Sequence, residues 1–214
     1  MAITQRTDRP GALARAGIQV IAAQGIRALT HRAVDHEAGL PSGTASYHFS
    51  TRKDLVRAIL EEIAAVSRHR LAEPPTPAAE TMATHRATGS QQRQAAAERI
   101  SRVCGDFIVG QLTTYRQLTI ARYALQAEVA TDPDLAEILH TADQFQTVAT
   151  EACRALNVDD PATTGRHLLA FVDGIVHDQL VGASSLRNHR PDQVGSAAAS
   201  AIEAYLTGLP ARAE

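Results

Sequence analysis

The chain has 214 residues, of which 44% are apolar, enough for the core of one large or two small globular domains. No run approaches the 18 apolar residues that a membrane helix needs, and the amino-terminal residues lack the apolar centre of a secretion signal. The net charge of −2 conceals an imbalance: residues 1–71 hold 10 Arg and Lys against 6 Asp and Glu, whereas residues 72–214 hold 11 against 17. A basic amino-terminal part suits a partner rich in phosphate.

Reactive side chains are sparse along the chain. The two cysteines, Cys104 and Cys153, each lie within a helical pattern. We expect a cytoplasmic protein in which both are buried free thiols, with a disulfide between them as the alternative. The sequence contains no His-Glu-x-x-His, Cys-x-x-Cys or Gly-x-Ser-x-Gly pattern and no phosphate-binding loop. We therefore predict no enzymatic activity, no cofactor and no metal.

Helical periodicity runs along the chain, without a convincing strand alternation. Apolar residues recur every three or four positions from the amino-terminal end onward, and turn residues separate the segments. Residues 72–90 are rich in Pro, Ala and Thr and are predicted to form a flexible linker. The pattern predicts an all-α fold of about nine helices in two domains, 1–71 and 72–214. The predicted helices cover 10–24, 30–38, 42–48, 52–71, about 100–112, 117–129, 134–156, 161–182 and 191–206.

The segment from Leu29 to Leu55 has the pattern of a helix-turn-helix. Thr30 is placed to cap the first short helix, and Gly39 is placed to end it, because glycine adopts a left-handed backbone without a Cβ clash. Pro41 suits the first turn of the second helix, where its missing N–H costs nothing. The second helix of such a motif enters the major groove, so the segment predicts DNA binding.

The same segment resembles the DNA-binding signature of TetR-family transcriptional regulators. The resemblance rests on AGL at 38–40, SGT at 42–44, YHF at 47–49, and the basic and leucine positions Arg52 and Leu55. It implies about nine helices, a homodimer, and a carboxyl-terminal pocket whose ligand changes DNA affinity, usually in a repressor. A two-fold dimer in turn matches a palindromic operator. Ala45 and Ser46 depart from the bulky aliphatic residue and tyrosine of many members. Ala45 predicts a less tightly packed recognition helix, and Ser46 predicts a shorter reach toward phosphate, which leaves Tyr47 to make that contact or merely to pack.

The resemblance and the residue chemistry together define a set of DNA contacts. Arg32 is expected to reach a guanine edge, His48 a phosphate, and Arg52 an anion at the start of the next helix. The alternatives are a solvated charge for Arg32 and a plain helix cap for Ser42. Phe49 is expected in the core, and Lys53 is expected to act as a general electrostatic contributor. The predicted DNA-binding residues are Thr30, Arg32, Ser42, Gly43, Thr44, Ser46, Tyr47, His48 and Arg52.

Two further sites are expected in residues 72–214. Residues that combine apolar bulk with polar groups are candidates for a small-molecule pocket, although for each one taken separately ordinary core or interface packing is the favoured role. The last two helices are apolar on more than one side and are expected to form a two-fold dimer interface. The predicted ligand-binding residues are Phe107, Gln111, Tyr115, Arg122, Tyr123, Phe145, His167, Phe171 and His177. The predicted dimer residues are Leu168, Val172, Ile175, Val176, Gln179, Val194, Ala198, Ala201, Ile202 and Tyr205.

The leading hypothesis is therefore a homodimeric, ligand-responsive repressor that binds double-stranded DNA. The alternative is a dimeric small-molecule-binding or interaction protein of the same fold that does not bind an operator. The Ala45 and Ser46 departures keep that alternative open.

Overall fold

A computed structural model describes residues 8–72, 89–140, 144–187 and 189–210. These residues form ten α-helices and two short 3₁₀ turns and contain no β-sheet, so the predicted all-α class is confirmed. None of these helices is both long enough and apolar enough to cross a membrane. The helices are α1 (Arg9–Gln24), α2 (His31–Glu37), α3 (Thr44–His48), α4 (Arg52–Ala72), α5 (Ser90–Leu112), α6 (Arg116–Val129), α7 (Pro133–His140), α8 (Gln144–Ala155), α9 (Pro161–Leu180) and α10 (Pro191–Gly208).

One segment differs from the sequence-based expectation, and two others fall partly outside the described residues. The second helix of the motif begins at Thr44 and not at residue 42. The helix expected over 134–156 is described as α7 and α8, on either side of residues 141–143, which lie outside the described residues. Most of the expected linker, residues 73–88, also lies outside the described residues.

The chain divides into two compact units, and the first comprises residues 1–68 and 117–142. Its core joins fully buried side chains of α1 and α4, such as Leu13, Leu55 and Ile59. Leu125 of α6 and Leu135 of α7 belong to the same core. The sequence had placed these two helices in the carboxyl-terminal domain, because an apolar stripe does not reveal which core it joins.

The second unit comprises residues 69–116 and 143–214. Two glycines allow α5 and α10 to approach closely: a Cβ on Gly105 would lie 2.7 Å from the carbonyl oxygen of Gly195. A Cβ on Gly165 of α9 would lie 2.9 Å from the backbone nitrogen of Thr150 in α8. Backbones this close leave no room for larger side chains, and helices at such spacing bury Ile108 and Ile202 completely.

Candidate nucleic-acid interface and ligand cavity

The turn between α2 and α3 is built from local signals. The Thr30 side chain caps α2 by accepting a hydrogen bond from the amide of Ala33 at 3.1 Å, which confirms its predicted role. Gly39 has a φ of +64°, and beyond it the amide of Leu40 donates to the carbonyl oxygen of Asp35 at 2.9 Å. The left-handed residue thus ends α2 as predicted.

The amino-terminal end of α3 is held by a buried carboxylate from α2. Asp35 is only 2% exposed, and its two carboxylate oxygens accept hydrogen bonds from the amides of Gly43 at 2.8 Å and Ala45 at 2.7 Å. The first amides of a helix have no partner within the helix, so Asp35 supplies the cap that α3 lacks locally. Sequence reasoning missed this residue, although an acidic side chain one turn before the Gly39 break was a usable signal.

Ser42 and Pro41 therefore have different positions from those expected. The residue that precedes α3 is Gly43, in the left-handed region at φ +96°, and no side chain of α3's own segment caps the helix. Pro41 and Ser42 both lie in the turn before α3, where the carbonyl oxygen of Pro41 accepts a hydrogen bond from the Thr44 hydroxyl at 2.6 Å. Because Gly43 adopts a left-handed backbone, the helix begins at Thr44, two residues later than predicted, and has only five residues.

One side of α3 packs inward and the other faces solvent. Ala45 is fully buried and Phe49 is 8% exposed; both belong to the core of the first unit, and this confirms the role predicted for Phe49. Tyr47 is 85% exposed. Thr44 and His48 are partly buried, and the His48 ring meets the Tyr47 ring edge-on, with centroids 5.2 Å apart. The other predicted contacts are exposed: Thr30, Arg32, Ser42, Gly43, Ser46 and Arg52.

The two cations at the start of α4 are paired with acidic residues of the same unit. The Arg52 guanidinium makes a bidentate pair with Glu128 at 2.7 and 2.8 Å, and this hydrogen bonding raises the pKa of Arg52. Lys53 lies 2.7 Å from Asp132 and 3.1 Å from Asp134, and these hydrogen bonds raise the pKa of Lys53. A phosphate at this position would therefore compete with carboxylates.

The nine predicted ligand-binding residues do not form one site. Phe107 and Phe145 line an apolar cavity of about 160 Å³ and meet edge to face at 5.5 Å. Arg122 and Tyr123 belong to α6 in the first unit. The remaining members on α9 are exposed: His167, Phe171 and His177. Helical periodicity did not show which of these side chains share a space.

Gln111 and Tyr115 contact a cation that the sequence did not single out. Arg70 donates to the Gln111 side-chain oxygen at 3.2 Å, and its guanidinium lies 3.8 Å from the Tyr115 ring centre. The same guanidinium lies 4.9 Å from the ring centre of Phe107, which also lines the cavity. Arg70 therefore stacks on two aromatic rings, one of them in the cavity wall.

The cavity lies among α5, α8 and α9. Both cysteines are free, and Cys104 lies in the cavity wall. Burial and the neighbouring Cys153 thiol raise the pKa of Cys104 to about 12, so this thiol is neutral near pH 7. The described lining residues are Ile100, Val103, Cys104, Phe107, Phe145, Val148, Ala149, Ala152, Leu168, Leu169 and Val172.

Half of the predicted dimer residues are buried within the chain's own fold. This group consists of Leu168, Val172, Val176, Ala198 and Ile202, each less than 9% exposed. Ala201 is exposed, and the partly exposed members are Ile175, Gln179, Val194 and Tyr205. Beside them lies Phe171, 37% exposed, with its ring centre 6.2 Å from that of Tyr205. The strongest apolar stripes of α9 and α10 pack within the second unit. A partner subunit would therefore contact the opposite sides of these two helices.

Comparison with known proteins agrees with the geometry. Residues 13–59 match the model of the bacterial regulatory proteins of the tetR family. Residues 95–209 match that of the tetracyclin repressor-like carboxyl-terminal domain. No curated protein sequence matches the chain.

Solved structures share the fold. A transcriptional regulator from Rhodococcus sp. Rha1 is 23% identical, with a TM-score of 0.68 over 95% of this chain and 99% of its own. A TetR-family member from Streptomyces coelicolor A3 is 23% identical, with a TM-score of 0.64 over 95% and 99%. The multidrug binding protein EbrR, solved with imidazole, is 26% identical, with a TM-score of 0.60 over 96% and 97%. EbrR has also been solved with ethidium.

The carboxyl-terminal match alone covers more than half of the sequence, and the amino-terminal match covers the helix-turn-helix. The chain belongs to the tetR family of bacterial regulatory proteins, which are transcription factors and not enzymes.

Proposed function

We propose that the protein is a homodimeric repressor that binds a palindromic operator through α2 and α3 and leaves it when a small molecule binds the second unit. The observation that carries this proposal is the way in which α3 is held on one side and exposed on the other. Asp35 and the buried Ala45 hold its inner side, while Tyr47 and its polar neighbours face solvent. A rigid helix with an exposed polar side is what reading a groove requires.

Within this surface, the residues divide by chemistry into base and phosphate contacts. The guanidinium of Arg32 would meet a guanine edge, and Ser42 and Tyr47, which are exposed, would meet bases or sugars. The remaining predicted residues would contact phosphates of the DNA backbone: Thr30, Gly43, Thr44, Ser46, His48 and Arg52. Arg52 would do so only by exchanging Glu128 for a phosphate.

The outer sides of α9 and α10 are the proposed dimer interface. Phe171 and the exposed Ala201 offer an apolar surface, and Tyr205 lies beside Phe171. Small side chains permit close helix approach, and a two-fold contact of two helices from each subunit would match the symmetry of a palindrome. Ile175, Gln179 and Val194 remain candidates at its edge, whereas the buried members of the predicted set do not.

The proposed effector site is the cavity of the second unit. EbrR, a structural relative, was solved with small molecules. Helix α4 carries Leu55 and Ile59 of the first core near its start and Arg70 near its end, where Arg70 stacks on Phe107 of the cavity wall. An effector that moves Phe107 would therefore favour a different position of α4, and would shift the population away from the DNA-binding state.

Binding of the protein to DNA upstream of its own gene, and to a random duplex library, tests the proposal. We expect sequence-selective binding that weakens with salt, as phosphate contacts require. Arg32→Ala should weaken it about tenfold without changing the free energy of unfolding. Arg187→Ala, an exposed arginine of the second unit, is the matched control. Absence of any sequence preference would contradict the proposal.

A second candidate is a dimeric binding protein of the same fold that does not bind an operator. The pairing of Arg52 with Glu128 and of Lys53 with two aspartates favours it, because these cations are already neutralised. Regulation that survived combined substitution of Arg32 and His48 by alanine would support this candidate.

A further inference from the structure

The cavity of the second unit is lined entirely by uncharged groups among the described residues. Its walls are aliphatic side chains together with the rings of Phe107 and Phe145 and the thiol of Cys104. With its pKa near 12, that thiol is protonated and offers no anion. A ligand here would gain its affinity from burial of apolar surface.

The described lining offers no acidic side chain to a positively charged ligand. A cation that entered the cavity would lose much of its hydration and would meet no described carboxylate in the walls to compensate for that loss. This penalty does not apply to a neutral molecule.

The volume indicates the size of molecule that the cavity can hold without protruding into solvent. The cavity measures about 160 Å³. A dry apolar cavity of about 150 Å³ accommodates benzene. One ring with a short substituent therefore fits, whereas a dye with several fused rings would have to extend into solvent beside the half-exposed Val148 or displace the walls.

We propose that the effector is a neutral, apolar molecule about the size of one substituted ring, unlike the large cation ethidium with which EbrR was solved. The assignment of such a ligand to the cavity stands on the lining itself. Its description as an effector rests on the proposed function. Ethylbenzene and 2-phenylethylammonium are suitable probes because they share a carbon skeleton and differ in charge.

Titration calorimetry of the full chain with each probe, and with ethidium, tests the proposal directly. We expect ethylbenzene to bind at least about tenfold more tightly than 2-phenylethylammonium and to raise the melting temperature. Ala152→Leu, which fills the cavity, should abolish ethylbenzene binding while the far-ultraviolet circular dichroism is unchanged. Ala149→Leu provides a second filling variant in case the first does not fold.

A charge introduced into the wall provides a second arm. Val148 lines the cavity and is 50% exposed, so Val148→Glu should fold and should shift the preference toward 2-phenylethylammonium. Leu186→Glu makes the same change at a residue that is 94% exposed and does not line the cavity, and it should leave the preference unchanged.

Equal or tighter binding of either cation to the unaltered protein would overturn the assignment, as would failure of all three probes to bind. The DNA-binding assay is separate. If ethylbenzene binds while the protein shows no sequence-selective DNA binding, the ligand class stands and the proposed function fails. If the protein binds DNA selectively but the cavity prefers the cation, the proposed function stands and the assignment of a neutral ligand fails.

Discussion

The two units use polar and apolar groups in opposite ways. In the first unit, the exposed surface is organised by a buried charge: the carboxylate of Asp35 holds the amides of Gly43 and Ala45. In the second, the candidate site is a cavity whose described lining is uncharged. Elsewhere in that unit two backbones approach closely: a Cβ on Gly105 would lie 2.7 Å from the carbonyl oxygen of Gly195.

This difference follows from what each site would meet. A surface that meets a charged, hydrated polymer must display polar groups, and it keeps them in place by satisfying the backbone behind them. A cavity for an apolar molecule needs walls without polar groups that would hold water. We therefore expect the first unit to be most sensitive to lost hydrogen bonds, and the second to be most sensitive to added volume.

The largest effect should come from Asp35→Ala. It leaves two amides at the start of α3 without a partner, which should lower the free energy of unfolding by about 3 kcal/mol. Urea denaturation measures the stability, and DNA affinity should fall by about 100-fold because α3 loses its position. Glu37→Ala removes an exposed carboxylate from the same helix and is the control. If Asp35→Ala and Glu37→Ala changed stability and DNA affinity equally, the first unit would not depend on the hydrogen bonds of Asp35, and the contrast with the second unit would fail.

Gly105→Ala tests the sensitivity of the second unit to volume. The added Cβ would lie 2.7 Å from the carbonyl oxygen of Gly195, so α10 must move, at a cost of about 2 kcal/mol. Gly110→Ala on the same helix meets nothing closer than 3.7 Å and should be neutral or stabilising by about 0.5 kcal/mol. Thermal unfolding compares the two. A stable Gly105→Ala protein would show that the helices are not in close contact.

Glu128→Gln tests whether the acidic partners restrain DNA binding. Freed from its bidentate pair, Arg52 would be available to a phosphate. We expect affinity for unrelated DNA to rise by about threefold, and its dependence on salt to steepen by about one ion. Fluorescence anisotropy over a range of salt concentrations measures both. Glu62→Gln, which breaks the pair with Arg15 elsewhere in the unit, should change neither.

The smallest effect should come from the cap of α2. Thr30→Ala removes the acceptor for the amide of Ala33 and should cost about 1 kcal/mol or less. Thr30→Asp keeps an acceptor but adds a negative charge, so stability should be retained while DNA affinity falls. If Thr30→Asp binds DNA as well as the original protein, Thr30 does not lie near a phosphate.

Some features of the first unit could be predicted because they depend on neighbours in the chain. A cap at Thr30, a left-handed Gly39 and the inward-facing Phe49 all act within about one turn of helix. Asp35 escaped prediction because its partners are eight and ten residues away, across the turn that it stabilises. The start of α3 was misplaced because Gly43, in the left-handed region, and not Ser42 is the residue that precedes the helix.

The sequence by itself determined the helical class, the turn between α2 and α3, and the family, since periodicity and turn chemistry are local properties. Only the tertiary structure decided that Arg52 meets Glu128, 76 positions away, and that three helices enclose the cavity. It also decided that Leu168 and Ala198 lie inside their own unit. An apolar stripe requires cover, but which surface provides that cover depends on how the whole chain packs.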